Sequence, residues 1–332
     1  MQTIFIDIKW INTGRAISML GIYIAHCNFY YLNLDSTAML FTNLFRISFF
    51  YFISGFLFFR SLDKYWIKEK FKKIVYKLIW PALFFPSLIW LPKMIAHGTE
   101  ITFFAFVENI FGGTATWFVS SIIVGQLILL MFKLAIRNIY LILSISFCCF
   151  LLSFYLSEID PTPFPWYYKS GLIASFFLTL GGVFYENYNN LKRFISIKLL
   201  IISGILCVIM HIYTFENCFY QNIMVVKYDN IPLGLFNNLL GIIFMLQLCH
   251  YISLIKWLQY IGKNSIIFYF FAGGVPLVIG YLTKTYIPYQ GYVMTLLVTI
   301  LSVALVFPVS YIINRYFSWT LDFSKITNKL SQ

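Results

Sequence analysis

The chain has 332 residues, of which 60% are hydrophobic and only 11% charged, far from a soluble domain, in which charged residues make up roughly a quarter. That composition excludes an ordinary water-soluble protein and implies an all-α, polytopic integral membrane helical bundle. The formal charge of +12 follows the loops between apolar runs, which fits membrane lipid as a partner and no nucleic acid.

Apolar runs of spanning length recur at 12–32, 38–59, 78–96, 115–132, 139–156, 170–185, 197–213, 232–251, 261–282 and 291–313, so about ten transmembrane helices are predicted, each needing roughly 20 residues. Pro81, Pro86 and Pro92 fall on the third run; spans tolerate prolines, which nevertheless weaken the helix signal. No polar stretch between the runs is long enough to fold separately, so residues 1–332 read as a single membrane-embedded domain. The first run begins after Asp7 and Lys9 and lacks a small-residue cleavage site, so it is expected to remain as the first span.

Short loops rich in Lys and Arg stay cytoplasmic. With the N-terminus inside, the cytoplasmic segments hold most of the 24 basic residues, among them Lys9, Arg60, Lys64, Lys68, Lys133, Arg193, Lys256, Lys263, Arg315 and Lys329. Lys93, Lys169, Lys227 and Lys284 fall outside and Arg46 within the second run, so both termini are predicted cytoplasmic. The densest basic stretch runs from Arg60 to Lys77 and includes Lys70, Lys72 and Lys73, interleaved with Tyr65, Trp66, Phe71 and Tyr76. It reads either as an anchor against anionic headgroups or as an anion site for a phosphorylated cofactor, where lysine acts as a mobile point charge. The outer segment Ser157–Tyr168, with Glu158, Asp160 and Trp166, reads either as a sugar contact or, more simply, as an interfacial aromatic belt, since Trp and Tyr are expected at a membrane surface.

Chemistry-bearing groups are few. The six cysteines lie in or beside apolar runs without metal-ligand spacing, as do His211 and His250, so no metal is expected. Arg15 and His26 are different. At 100° per residue they return to almost one helix face, separated by about 16 Å, which puts a cation near one membrane surface and an imidazole at depth. Ionisable groups there face a bundle interior or a wet cavity; the plainer alternative is a histidine satisfied by a neighbouring carbonyl. Counted along ideal helices, Arg46 stands about 21 Å above Arg60, and Ser120 and Trp117 about 20–24 Å above Lys133. His26, Arg46, Ser120 and Trp117 are therefore expected to share one layer, with histidine as general base. Snorkelling to the outer surface is the alternative for Arg46.

In chain order the sequence shows Arg15 and His26, the run Phe49-Phe50-Tyr51-Phe52-Ile53-Ser54-Gly55-Phe56-Leu57, the basic segment closing with Lys72, Lys73 and Pro81, Thr116-Trp117-Phe118-Val119-Ser120, and Gly262-Lys263-Asn264-Ser265 with Tyr269. Together these resemble acyltransferase family three, the bacterial membrane O-acyltransferases, over most of the chain. The resemblance implies a membrane acyltransferase domain in the bacterial inner membrane. By that resemblance it is expected to take an acyl group, usually acetyl from acetyl-CoA bound as a co-substrate on the cytoplasmic side, and to place it on a hydroxyl of a glycan or lipid-linked sugar acceptor. The resemblance further implies that His26 is the catalytic histidine with Arg15 its motif partner and that Arg60, Lys72 and Lys73 lie near the CoA phosphates; depth counting adds Arg46, Ser120 and Trp117 to the same centre, and Lys77, which closes the basic stretch, is expected beside the CoA-binding lysines. Ser54-Gly55 is expected to let helices approach closely. Asn12 stands where an aspartate is common, Lys72-Lys73 where arginines are, Ile122 and Ile123 where some branches carry paired glutamates, and Ala272 where many members have a histidine. A transporter or flippase of a lipid-linked sugar would use the same intramembrane Arg and His as a polar path without consuming acetyl-CoA.

Overall fold

The computed structural model describes residues 9–32, 41–62, 67–97, 101–162, 165–287 and 291–326; Asp7, Lys64, Tyr65, Trp66 and Lys329, named above, lie outside them. Apolar sequence with few breakers gives helix almost throughout: α1 (Lys9–Leu32), α2 (Ser48–Leu62), α3 (Ile67–Ile74), α4 (Trp80–His97), α5 (Phe103–Ile110), α6 (Trp117–Ala135), α7 (Ile139–Ile159), α8 (Tyr168–Glu186), α9 (Tyr188–Leu191), α10 (Ile197–Glu216), α11 (Ile231–Tyr251), α12 (Lys256–Lys263), α13 (Ser265–Phe271), α14 (Gly274–Tyr286) and α15 (Tyr292–Tyr316). A pair of two-residue strands, Gln221–Asn222 and Lys227–Tyr228, is the sheet found among the described residues.

Among those residues seven helical stretches are long and apolar enough to cross a membrane, and eight if α13 and α14 form one broken span. Sequence periodicity predicts ten. The difference lies with α1 and α8, which are too polar to qualify. Both are mostly buried in protein, and a helix that faces other helices need not be apolar all round. By contrast α10 turns Ile201, Ile202, Ile205, Ile209 and Ile212 outward and α15 turns out Val293, Leu296, Ile300 and Leu305. Such surface is stable where hydrocarbon covers it.

Two predicted boundaries shift, for identifiable reasons. The third run begins at 67 rather than 78, because α3 continues through a wide turn at Val75–Ile79, where the Trp80 amide reaches back to the Val75 carbonyl. This wide turn stands immediately before Pro81, which has no N–H to give and whose ring crowds the preceding turn. Much of the basic stretch is thus helix rather than loop. The run at 261–282 is broken twice: α12 ends at Asn264, whose amide bonds to the Tyr260 and Ile261 carbonyls at 3.1 Å, and α13 and α14 meet at a 48° bend beside Gly273 and Gly274. Glycine pairs are common causes of such bends.

The chain forms two compact units, Met1–Ile53 with Tyr188–Gln221 and Tyr228–Phe307, and Ser54–Asn187 with Asn222–Lys227 and Pro308–Gln332. In the first, α1 is central, lying along α12 and α14 and touching α11 and α13. Tyr23 donates to the Phe268 carbonyl at 2.8 Å, Trp10 stacks on His250 at 4.9 Å, and Cys27 packs on Met294 and Val298. In the second, α8 is the hub, packed on α6 and α7. Gly55 sits within α2, not at a turn, and a Cβ there would overlap the Leu178 backbone, so the small residue does permit the close approach expected of it. Ser146 donates to Thr179 at 3.0 Å, and Lys133 pairs with Glu186 at 3.6 Å.

Candidate functional site

The first unit holds His26, Arg15 and Arg46. Because α1 is unbroken from Lys9 to Leu32, Arg15 and His26 keep the common stripe that their spacing predicts. His26 is partly exposed and stacks on Tyr30, one turn on, at 5.9 Å and 11°. Arg46 comes to α1 between them: a Cβ on Gly21 would stand 3.2 Å from the Cβ atoms of both Arg46 and Thr42. Arg46 lies within the second span, Phe41–Ser61, just before α2 begins. It sits in the turn between the helical turn Phe41–Leu44 and Ser48, with its amide bonded to the Thr42 carbonyl at 2.8 Å.

Arg15 Nε and Arg46 Nη1 are buried without a hydrogen-bond partner, and among the described residues neither guanidinium pairs with a carboxylate. A cation without a counter-ion in such a place costs several kcal/mol of solvation, about what its removal from water demands, and is characteristic of a functional centre. Asn12 has a structural partner: its amide donates to Gln259 Oε1 at 3.2 Å, while Gln259 donates to Lys9 O at 2.8 Å and to Thr13 Oγ1 at 2.7 Å. The Gly262 motif is explained nearby, since a Cβ there would overlap the Asn12 backbone. His250 and His211 serve packing. His250 Nδ1 lies 2.7 Å from the Leu246 carbonyl, and His211 meets Phe41 edge-on at 5.6 Å.

The second unit holds Ser120, Trp117 and the basic cluster. Ser120, fully buried on the first turns of α6, donates to the Gly113 carbonyl at 3.2 Å and lies 3.3 Å from Thr116 Oγ1. Gly113 is left-handed at φ 76°, a backbone most side chains avoid, so Ser120 fastens the turn that starts α6. Trp117 lies against Phe118 and Tyr167 at 5.8 and 6.2 Å.

Lys70, Lys73 and Lys77 recur at three and four residues and form one stripe. Lys70 donates to Ser61 Oγ and lies over the Phe58 ring at 4.5 Å, which brings the stripe beside Arg60, the neighbour of Ser61. Lys72 is exposed. Lys77 pairs with Asp322 at 3.2 Å, so its charge is already balanced. Sequence reasoning missed Asp322, because no local spacing links residue 77 to residue 322.

Burial pushes the Asp322 carboxyl up, but hydrogen bonds from Ser324 and the Lys77 ammonium together hold it below its ordinary value. A carboxyl lowered in the folded state stabilises fully above its unfolded pKa of about 3.9 and loses that contribution as pH falls through the lower folded value. Lys77 is half exposed, so solvent screening limits the contribution to under about 1 kcal/mol. Asp322→Asn should therefore melt slightly lower than wild type at pH 7 in detergent, with the two curves converging in the acid range; a gap unchanged by acid would leave the ion pair without a role.

Helices of spanning length, with guanidinium groups buried on and against a histidine-bearing central helix and no carboxylate paired to them among the described residues, define a multi-pass membrane protein with a buried polar centre. The model of the acyltransferase domain family, acyltransferase family three, matches residues 8–315, essentially the whole chain, and the chain belongs to that family. Neither a curated protein nor a solved structure matches it.

Proposed function

We propose that this acyltransferase is an O-acetyltransferase of the bacterial inner membrane, moving acetyl from acetyl-CoA to a hydroxyl of a surface polysaccharide, of O-antigen or capsule type, or its lipid-linked precursor. The observation that carries the reading is the pair of buried guanidinium groups, Arg15 and Arg46, on or against the helix that bears His26 and, among the described residues, without a carboxylate partner. His26 takes the proton of the acceptor hydroxyl as its oxygen attacks the thioester carbonyl. Fixed cations steady the negative charge that develops on that carbonyl oxygen, a role worth most where water is scarce. The C–S bond then breaks, the acetyl ester remains on the acceptor, and the proton held by His26 passes to the departing CoA thiolate. A transient acetyl-histidine is an equivalent two-step route through the same residue.

Arg60, Lys72 and Lys73 are the groups assigned to the CoA phosphates. Lys72→Ala with Lys73→Ala should raise KM for acetyl-CoA about tenfold, the loss of one to two charge-assisted contacts, and leave KM for the acceptor unchanged. Unchanged donor affinity would leave that segment as a headgroup anchor only. The reading as a whole is tested by mass analysis of surface glycan from cells with and without the gene. A difference of about 42 Da per acetyl group, fixed by covalent chemistry, is expected; identical glycans would refute it.

A further inference from the structure

Three elements of the first unit meet around a group of buried polar atoms without hydrogen-bond partners among the described residues. A Cβ on Gly21 of α1 would stand 3.2 Å from the Cβ atoms of Thr42 and Arg46, and a Cβ on Gly241 of α11 would overlap the Leu44 carbonyl and lie 3.0 Å from Phe45 Cβ. Within about two turns of these contacts, Ser18 Oγ, Thr42 Oγ1, Arg15 Nε, Arg46 Nη1 and both the Nδ2 and Oδ1 atoms of Asn237 are buried with no hydrogen-bond partner. Asn237 is the most telling. It is 0% exposed, precedes Gly241 by one turn on the face that meets the 41–47 segment, and keeps an entire carboxamide unused. Its neighbour Asn238, by contrast, donates to Tyr228 Oη at 2.9 Å and to the Gly234 carbonyl at 3.0 Å. A buried amide whose donor and acceptor are both idle is costly, and an apolar side chain of the same size would avoid that cost.

We infer that Asn237 is an acceptor-binding residue whose carboxamide takes two neighbouring hydroxyl groups of a sugar, one through Nδ2 and one through Oδ1, beside Arg46 and Thr42. A carboxamide presents a donor and an acceptor side by side in one plane, and two adjacent ring hydroxyls offer the complementary pair. A thioester or a phosphate offers acceptors alone and would leave Oδ1 unmatched. The inference rests on the O-acetyltransferase reading and adds to it the residue that selects a polyol.

The test uses the full-length protein in lipid nanodiscs, with methyl glycosides of glucose, galactose, mannose and rhamnose and their monodeoxy analogues as probes, read by the rise in melting temperature that binding gives. At least one glycoside should stabilise wild type. Asn237→Leu should melt no lower than wild type without sugar and should bind that glycoside about tenfold more weakly, the loss of one to two net hydrogen bonds. Asn237→Gln, which keeps the carboxamide, should restore part of the affinity. A deoxy analogue lacking either hydroxyl of the contacted pair should lose a similar factor on wild type and nothing further on Asn237→Leu. A lower melting temperature for Asn237→Leu, equal binding by both proteins, or no stabilisation by any glycoside would overturn the assignment. Because binding is read without turnover, the outcomes separate: glycoside binding without acetyl transfer would sink the enzymatic reading, and acetyl transfer indifferent to Asn237 would sink this one.

Discussion

His26→Ala should abolish acetyl transfer, by a factor of about 10² to 10⁴ if His26 acts as a general base, and by more if it carries the acyl group, while the protein still inserts and folds. The two halves of that expectation come from different facts. The imidazole is partly exposed and stacks on Tyr30, one turn on, at 5.9 Å. The helix that bears it is secured elsewhere, by the Tyr23 bond to Phe268, by Cys27 against Met294 and Val298, and by Trp10 on His250. His26→Gln, which keeps polarity but accepts no proton, should be as inactive as alanine. Activity in either variant, measured on protein shown to elute and melt like wild type, would remove His26 from the reaction.

The largest effect on stability is expected at Gly262. A Cβ there would run into the O, C and Cα atoms of Asn12, backbone on both sides, with no flexible side-chain end to move away. Overpacking of side chains costs about 1–3 kcal/mol, and more where the obstacle is rigid. Gly262→Ala should therefore destabilise by about 3 kcal/mol or more, and Gly262→Val should fail to accumulate. Separating α12 from α1 also breaks the Asn12–Gln259 bond and displaces Arg15, three residues on, so activity should fall with stability. Gly273 provides the control, because nothing lies within 4 Å of a Cβ built on it and its φ of −84° suits any residue. Gly273→Ala should be neutral or slightly stabilising. Equal melting temperatures for Gly262→Ala and Gly273→Ala would show that the tight approach of α12 to Asn12 does not matter.

Much of this architecture is legible in the sequence, where the physics is local. Apolar runs of spanning length foretell the long helices, and the eleven-residue spacing of Arg15 and His26 places them on one stripe because α1 is unbroken. Local rules also explain two misjudged boundaries in retrospect: Pro81 accounts for the wide turn before α4, and Gly273-Gly274 for the bend between α13 and α14. What hydropathy alone obscures is that α1 and α8 are polar because protein surrounds them, so the helix bearing Arg15 and His26 has one of the weakest span signals. The second run likewise foretells a span that contains Arg46. Partners distant in sequence leave no spacing to read. Nothing near Lys77 announces Asp322, nothing near Asn12 announces Gln259, and Asn237 looks like an ordinary interior asparagine until its unbonded carboxamide is placed beside the segment carrying Arg46.

The central claim is that the buried cations and His26 serve transfer of an acetyl group and not passage of a solute. Purified protein in proteoliposomes, supplied with acetyl-labelled acetyl-CoA and lipid-linked sugar extracted from the membrane, tests it most directly. The account predicts label in the sugar ester, one CoA thiol released per label incorporated, and neither with His26→Ala. Sugar crossing the bilayer with acetyl-CoA untouched would contradict it.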